Sequence, residues 1–531
     1  MRSLTGLGRL VRLILRRDRV RLPVWILSLG GIVLGSAASL VPLYPDQTSI
    51  QQYVELFGDN PALIAFAGPG YGFDDPNLGV ILVNETQLWA CLGIALMSIF
   101  LVNRHTRAEE EAERTEVLRS SIVGRHAPTA AAVVVVGAAG AVLAAACGVG
   151  FIALGYGVTG SVAFAAGLAG CGLVFTGLAA AVAQLAGSSR ASLGLSTAVL
   201  GAAFVLRAVG DIADSGMRWL SPIGWSQGVR AYADERWWPV AVCLGATVLA
   251  VVAAFWLATR RDLGSGILPQ RPGPARAGRW ARSPLGLAVR LQRGTVVAWM
   301  AGLALMGAVY GSIGDDVEQM IEENPTFGDI VAQLGGADVT DAFFATAASM
   351  QALLAAGFAI SAALRIRSEE AAGRVEPILA APVGRWRWAW SHLLVAAVGT
   401  VLVVAAGGFG IGSSYAVVSG DAGQVLRLTG AALATVPAVL VLAGVAVALF
   451  GASLRLALAA WAGLAAIVLI ELFGELLRLP SWSRAVSPLH HVPGLPAEDL
   501  RALPLLALTA LAVALTSAGL ARFRARDLQV G

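Results

Sequence analysis

Two short charged segments stand out in a chain of 531 residues that is 57% hydrophobic and only 14% charged. Residues 107–125 read RAEEEAERTEVLRSSIVGR, residues 367–385 read RSEEAAGRVEPILAAPVGR, and nine of the nineteen positions are identical. Glutamates and arginines mixed in this way can form ion pairs, either within the chain or with another protein. We call these stretches the first and the second glutamate segment.

The residues that recur at matched positions of the two segments are the candidate docking residues. They are Glu109, Glu110, Arg114, Glu116, Gly124 and Arg125 in the first segment, and Glu369, Glu370, Arg374, Glu376, Gly384 and Arg385 in the second. The alternative is a solvated cytoplasmic loop. Such a loop would be rich in arginine, but acidic residues matter little to membrane topology, so this alternative gives no reason for glutamates to recur. The pattern therefore favours docking to a partner protein.

The residue types present exclude several kinds of chemistry. All 38 basic residues are arginines, so the chain has no Walker A loop and no Schiff-base lysine, both of which need a lysine. The four cysteines lie in apolar runs without CxxC spacing, and the five histidines form no HExxH motif. We therefore predict that this chain has no catalytic residues, no metal site, no cofactor of its own and no nucleic-acid partner.

Apolar runs of about twenty residues, long enough to cross a bilayer as helices, occur along the whole chain. They lie at 22–42, 80–103, 129–156, 161–186, 191–212, 238–259, 295–313, 346–364, 388–413, 427–451, 456–477 and 502–522. With the N-terminus inside, 30 of the 38 arginines are cytoplasmic, and the positive-inside rule then places both termini in the cytoplasm. The predicted fold is an all-α polytopic protein of the bacterial plasma membrane with twelve transmembrane helices.

The whole chain also reads as a tandem repeat. Ser221-Pro222 matches Ser487-Pro488 at an offset of 266, and Arg261-Asp262 matches Arg526-Asp527 at 265, close to the offset of 260 between the glutamate segments. Six spans per half is an even number, so both halves enter the membrane in the same sense and form a parallel repeat. The predicted domains are a first six-helix half at 1–263, a cytoplasmic linker at 264–283 and a second six-helix half at 284–531.

Charged residues inside apolar spans are costly and usually have a partner or a purpose. Arg207 and Asp211 lie near the outer end of the fifth span, and an offset of 264 maps them onto Glu471 and Glu475 in the eleventh. One hypothesis pairs Arg207 with Glu471 in an outer gate between the halves. The alternative pairs Arg207 with Asp211, and Glu475 with Arg478, within their own helices. Further candidates for the translocation wall are Glu85, Gln87 and Trp89 in the second span.

The second glutamate segment resembles the coupling helix of ABC-2 type transporter permeases, through Gly373, Arg374, Glu376 and the run from Pro382 to Arg385. The two-half layout is similar, over essentially the whole chain, to the fused actinobacterial branch that exports polyketide antibiotics such as tetronasin, with a type V ABC exporter-like fold. The resemblance implies that the segment docks onto an ATP-binding-cassette subunit. It also implies an amphipathic elbow helix before the first span, here Leu7 to Arg21, with a shorter counterpart in the second half, Leu285 to Arg293.

The first segment departs from this pattern. Glu113 stands in place of the glycine and Ile122 in place of the proline. We therefore expect the two docking sites to differ in geometry.

The resemblance implies the permease subunit of an ATP-driven exporter that moves amphipathic or hydrophobic compounds, such as antibiotics and drugs, out of the cell. Two copies of a cytoplasmic ATPase subunit would bind ATP and magnesium and dock on the two glutamate segments. A secondary, proton-coupled drug transporter and an ABC-type lipid exporter stay open as alternatives. An intramembrane enzyme would need convergent acids, histidines or metal ligands at membrane depth, and the sequence offers none.

Overall fold

The computed structural model describes residues 2–57, 61–114, 123–262, 264–268, 276, 278, 280–314, 339–473 and 480–527. The regular elements within these ranges are α-helices and short 3-10 helices, and the ranges contain no strand. The chain divides into two compact units, Met1–Gly273 and Pro274–Gly531. The boundary between the units falls within residues 264–283, the predicted linker.

The described part of the first unit is built from an elbow helix, long apolar helices and short connecting helices. These are α1 Leu7–Arg17, α2 Arg21–Leu43, α3 Gln47–Phe57, α4 Pro61–Ala67, α5 Leu78–His105, α6 Arg107–Glu111, α7 Ala127–Ala153, α8 Val158–Leu185, α9 Ser189–Ile212, α10 Pro222–Gln227 and α11 Trp238–Thr259. Side-chain caps define two of the long helices, because Asn77 accepts the Val80 amide at the start of α5 and Ser188 accepts the Ala191 amide at the start of α9.

The described part of the second unit repeats this alternation of long and short helices. Its elements are α12 Pro284–Ser312, α13 Val339–Ala363, α14 Arg365–Ala371, α15 Glu376–Leu379, α16 Arg385–Ser419, α17 Gly423–Leu433, α18 Val436–Ala452, α19 Ala459–Phe473, α20 Ser481–Ala485 and α21 Ala502–Ala525. The buried side chains of each unit are mostly alanine, valine, leucine, isoleucine and phenylalanine.

Eleven helices in the described part of the chain are long and apolar enough to cross a membrane. They coincide with eleven of the twelve predicted spans, and α17 and α18 together form the tenth. The eleventh predicted span, 456–477, contains α19, which has 15 residues, and its last four residues lie outside the described ranges. The chain is therefore an all-α multi-pass membrane protein, while the count of twelve spans stays a prediction.

The start of α12 differs from the sequence prediction. A span was expected from residue 295, but the helix begins at Pro284, and the Ser283 hydroxyl caps it by accepting the Gly286 amide at 3.0 Å. Residues 285–293, expected as a short second elbow, are thus the first turns of one continuous helix. Hydropathy marks only the part of a helix that lies in lipid, so a polar extension of the same helix gives no signal.

In the first unit, the elbow helix α1 is separate and amphipathic. Leu10 and Ile14 are buried, whereas the arginines of the opposite face are exposed. Asp18, directly after α1, is completely buried and pairs with His105 at 2.5 Å and with Arg104 at 3.3 Å. Because both partners lie at the end of α5, this cluster fixes the elbow onto the second span of the unit.

Glycines allow very close packing of α12 against α16 in the second unit. A Cβ atom on Gly307 would collide with the Gly407 carbonyl oxygen, and one on Gly311 would collide with the Ile411 carbonyl oxygen. Helices in lipid associate through such close backbone approach, because apolar burial alone does not distinguish a neighbouring helix from a lipid tail. The spacing of these glycines therefore determines how α12 and α16 meet.

We expect Gly307→Ala to destabilise the protein and Gly302→Ala, on the same helix, to be neutral or stabilising. The added methyl at Gly307 meets backbone that cannot move aside, while nothing lies within 4 Å of a Cβ at Gly302. Alanine is intrinsically better than glycine in a helix by about 1 kcal/mol. Thermal unfolding in detergent, followed by size-exclusion chromatography, measures both. Equal effects of the two substitutions would contradict the packing role of Gly307.

Candidate functional site

Each unit has one end at which its glutamate segment lies, which we call the segment end. In the first unit the carboxylate of Glu110 accepts hydrogen bonds from the guanidinium of Arg261 at 2.5 and 2.8 Å. Arg261 lies two residues after the end of α11, the last long helix of the unit. The two side chains are only 11% and 8% exposed. We call this ion pair the first clamp, because it holds the start of the glutamate segment to the end of the last helix.

The second unit contains the same ion pair. Glu370 accepts hydrogen bonds from Arg526 at 2.7 and 2.8 Å, and Arg526 directly follows α21. The side chains are 2% and 14% exposed. The Arg526 guanidinium also lies 5.0 Å from the ring of Phe450 and 5.2 Å from that of Phe523, which adds cation–π attraction to the pair. This is the second clamp.

The far end of each glutamate segment is bound to the same place. Arg125 donates to the carbonyl oxygen of Arg261 at 3.3 Å and to that of Ala258 at 2.8 Å. Arg385 donates to the carbonyl oxygen of Arg526 at 2.9 Å. Both ends of a segment therefore converge on the chain that leaves the last helix of its own unit, so the segment and that helix end form one connected structure.

A left-handed turn occurs at equivalent places in the two segments. Glu113 has φ 57° and Gly373 has φ 66°, and the amide of each donates to the carbonyl of the residue three positions earlier, Glu110 and Glu370, at 3.0 and 2.9 Å. The replacement of glycine by Glu113 was expected to change the geometry of the first segment. At this turn the expectation is wrong, because the backbone has the same left-handed conformation in both segments. In Glu113 this conformation is sterically strained, since the residue has a Cβ atom.

The glutamate before each clamp residue also pairs within its own unit. Glu109 accepts from Arg17 of the elbow helix at 2.9 Å and from Arg114 at 3.3 Å. Glu369 accepts from Arg374 at 2.7 Å and pairs with Arg365 at 2.8 Å. These hydrogen bonds raise the pKa of Arg17 and of Arg374 above the usual value for arginine. The carboxylates of all four predicted docking glutamates described so far are thus engaged inside the chain.

Other residues of the second segment remain open to solvent. Glu376, at the start of α15, is exposed, as are Pro377 and the residues 380–382. Gly384 is exposed. It is the N-cap residue of α16 and has no side chain that could accept a hydrogen bond there. In the first segment the counterpart of Glu376 is Glu116, which lies outside the described residues, as does Ile122. The exposed surface of the second segment is therefore formed by residues 371–372, 374, 376–377, 380–382 and 384, and not by Glu369 or Glu370.

Sequence reasoning missed the clamp arginines. Arg261 and Arg526 were aligned with each other by the repeat, but they were not assigned a role. Two recurrences taken together could have identified them. Glu110 recurs as Glu370, and Arg261, after the last span of its half, recurs as Arg526 at nearly the same offset. Arg17 had no such signal, because no separate elbow helix precedes α12 among the described residues of the second unit.

At the other end of the first unit, Arg207 is completely buried. Its terminal nitrogens donate to Asp211 at 3.4 Å, to the carbonyl oxygen of Ile64 at 3.3 Å and to that of Ala65. These carbonyls belong to the last turn of α4, and that of Ile64 also accepts the Gly68 amide at 2.9 Å. Of the two predicted pairings, the structure contains the one between Arg207 and Asp211. Glu471 is exposed on α19, and Glu475 and Arg478 lie outside the described residues.

The predicted wall residues of α5 do not share one face. Gln87 is completely buried and donates to the carbonyl oxygen of Ser226 in the short helix α10 at 3.0 Å. Glu85 is exposed and accepts from the Tyr53 hydroxyl at 2.9 Å, and Trp89 is 53% exposed. Gln87 therefore holds α10 in place within the unit, while Glu85 and Trp89, four residues apart, lie on the open face of the helix.

A repeated Ser-Pro pair shapes this end in both units. The Ser221 hydroxyl accepts the Ile223 amide at 3.2 Å, and the Ser487 hydroxyl accepts the Leu489 amide at 3.3 Å. Each serine thus starts a short helical turn, α10 in the first unit and residues 489–491 in the second. The same local structure follows the fifth and the eleventh predicted span.

The described structure defines an all-α multi-pass membrane protein of two units, each with a bound polar segment at one end. Residues 282–524 match the family model described as the C-terminal domain of the multidrug efflux system permease Rv1217c. The chain is 38% identical over 529 residues to the multidrug efflux system permease protein Rv1217c of Mycobacterium tuberculosis, covering 99% of this chain and 96% of that protein. The chain therefore belongs to the family of the permease Rv1217c.

We expect the second clamp to behave as one energetic unit. Glu370→Gln or Arg526→Gln alone leaves a buried charge without its partner and should lower the free energy of unfolding by about 3 kcal/mol. The double substitution should cost clearly less than the sum, because neither charge is then left behind. Denaturant unfolding in detergent micelles measures the cycle. The exposed Glu376→Gln is the matched control and should have no effect. Strictly additive losses would refute the clamp.

The shared left-handed turn gives a prediction of opposite sign in the two segments. Glu113→Gly removes a strained L-residue and should stabilise the first unit by about 1 kcal/mol. Gly373→Ala introduces the same strain and should destabilise the second unit by a similar amount. The shifts in thermal unfolding temperature of the two purified variants measure this. If both substitutions shift the temperature in the same direction, the turns are not equivalent.

Proposed function

We propose that this chain is the membrane permease of an ATP-driven exporter of the ABC-2 type, which moves amphipathic or hydrophobic compounds such as drugs out of a bacterial cell. Two copies of a separate cytoplasmic ATPase subunit dock on the two glutamate segments and bind ATP and magnesium. The single observation that carries the proposal is the clamp, present in both units, between each segment and the end of the last helix.

The clamp supports a mechanical role for the segments. A partner that pushes on residues 376–382 acts on a surface that continues directly into Glu370, and the second clamp joins Glu370 to Arg526 at the end of α21. Buried, doubly hydrogen-bonded ion pairs resist separation, so the displacement of the segment passes to the helix. The same route runs from Glu110 to Arg261 and α11 in the first unit.

This division of labour assigns two roles to the candidate docking residues. Glu109, Glu110, Glu369 and Glu370 are positioning residues that fix the segments. Contact with the ATPase falls to the exposed residues within 376–382 of the second segment. The equivalents in the first segment, among them Glu116, take the same role.

The energy source is placed on a partner because the chain has no lysine for a Walker A loop. Two docking segments imply two ATPase subunits. The distribution of arginines supports a cytoplasmic location for the segment ends and both termini, which is where such subunits reside.

The class of cargo follows from the family. The relative from Mycobacterium tuberculosis is named a multidrug efflux system permease, and the long helices of this chain are almost entirely apolar. Apolar walls select by shape and hydrophobicity, so they accept many amphipathic compounds rather than one.

A cross-linking experiment in native membranes tests the proposal. Glu376→Cys gives an exposed thiol in a chain whose four own cysteines are buried, and Asp499→Cys at the opposite end is the matched control. We expect a short thiol-reactive cross-linker to join position 376, and not position 499, to a protein with a Walker A motif. The purified complex should hydrolyse ATP in a vanadate-sensitive manner, and neither protein alone should do so. Drug export driven by a proton gradient without any ATPase would overturn the proposal.

A further inference from the structure

The second unit contains a cavity at the end opposite its segment end. The cavity measures about 300 Å³ and lies between α13, α19 and the chain around residues 489–498. Its apolar wall includes Met350 and Leu353, and hydroxyls are supplied by Thr346 and Ser349. Two carboxylates, Glu471 and Glu498, complete the lining, which contains no arginine and no histidine among the described residues.

Glu471 is an unusual residue for its position. It is the one charged side chain in α19, whose sequence AAWAGLAAIVLIELF is otherwise apolar. Within the described part of the chain no ion pair or hydrogen bond is made by its carboxylate, or by that of Glu498. A carboxylate on a membrane helix costs free energy unless a partner or a water-filled space offsets the cost, and it commonly marks a pathway for a charged substrate.

The two units differ sharply at this position of the repeat. The equivalent of Glu471 is Arg207, at an offset of 264. Arg207 is completely buried, and Asp211 and the carbonyls of α4 hold its guanidinium inside the first unit. In the first unit this position is therefore occupied by a guanidinium group of the chain itself. The second unit leaves a carboxylate open to a cavity at the corresponding place.

We propose that this cavity binds an amphipathic organic cation, with the Glu471 carboxylate paired to its positive charge and its apolar groups packed on Met350, Leu353 and Leu489. Glu498 also lines the cavity and adds to the negative potential. The walls bury the apolar part of the ligand, and the low dielectric of the surroundings strengthens the ion pair. The inference rests on the proposed function, since it names a class of cargo for the export route.

A binding measurement on the purified full-length chain in lipid nanodiscs, without any ATPase, tests the inference. The probe is tetraphenylphosphonium, a permanent cation that has no proton to exchange, and triphenylphosphine oxide is the uncharged control. Equilibrium dialysis against empty nanodiscs corrects for partition into lipid. We expect Glu471→Gln to weaken binding of the cation about tenfold and to leave binding of the neutral compound unchanged.

Two further variants sharpen the test. Glu498→Gln should also weaken binding of the cation, because it removes the second carboxylate of the lining. Asp499→Asn, the next residue along and not part of the lining, should have no effect, and it controls for a general change of surface charge. The inference is overturned if wild-type protein binds the cation no better than empty nanodiscs do, or if Glu471→Gln binds it as tightly as wild type.

Failure of this inference can be told apart from failure of the proposed function. In the complex with its ATPase, a neutral drug should still stimulate ATP hydrolysis when Glu471→Gln is present, while stimulation by tetraphenylphosphonium should be lost. Equal stimulation by both compounds in that variant would reject the cation site and leave the ATP-driven permease standing. Binding that depends on Glu471 in a chain that recruits no ATPase would reject the permease mechanism and leave the site.

Discussion

The ion pair between a glutamate segment and the end of the last helix is the constraint on which both units depend. Glu110 and Arg261 are 151 positions apart and Glu370 and Arg526 are 156 apart, so each pair joins the start of a segment to the close of its unit. A buried charge without its partner is strongly destabilising. Neither position can therefore change alone, which gives the physical reason that glutamates recur in the two segments.

The sequence was a good guide to the membrane helices and a poor one to what extends beyond them. Helices α2, α5 and α11 begin and end within a few residues of the predicted spans, because apolar length is the property that the bilayer requires. The hydropathy of the sequence did not reveal the polar first turns of α12 or the division between α17 and α18. A helix that continues into water, or bends at one residue, does not change the mean hydropathy of its span.

For the site, the internal comparison of the sequence singled out the two segments but could not resolve what each side chain does. The recurrence of Glu110 as Glu370 indicates that both segments require a carboxylate at this position. It does not reveal whether the partner of that carboxylate is another protein or the same chain. The substitution at Glu113 shows the converse difficulty. A left-handed turn costs an L-residue about 1 kcal/mol, which the surrounding hydrogen bonds can offset, so a changed residue type did not mean a changed backbone.

The two units resemble each other closely at their segment ends and differ at their opposite ends. At the segment ends, the clamp, the arginine contact to a carbonyl and the left-handed turn occur in both units. A mechanism that delivers the same displacement to two units needs the same connection in each. At the opposite ends, Arg207 and Glu471 occupy equivalent positions with opposite charge, one sealed and the other open. The proposed cation site uses one carboxylate, and at the equivalent position of the first unit the buried Arg207 is held by Asp211 and by carbonyls of α4.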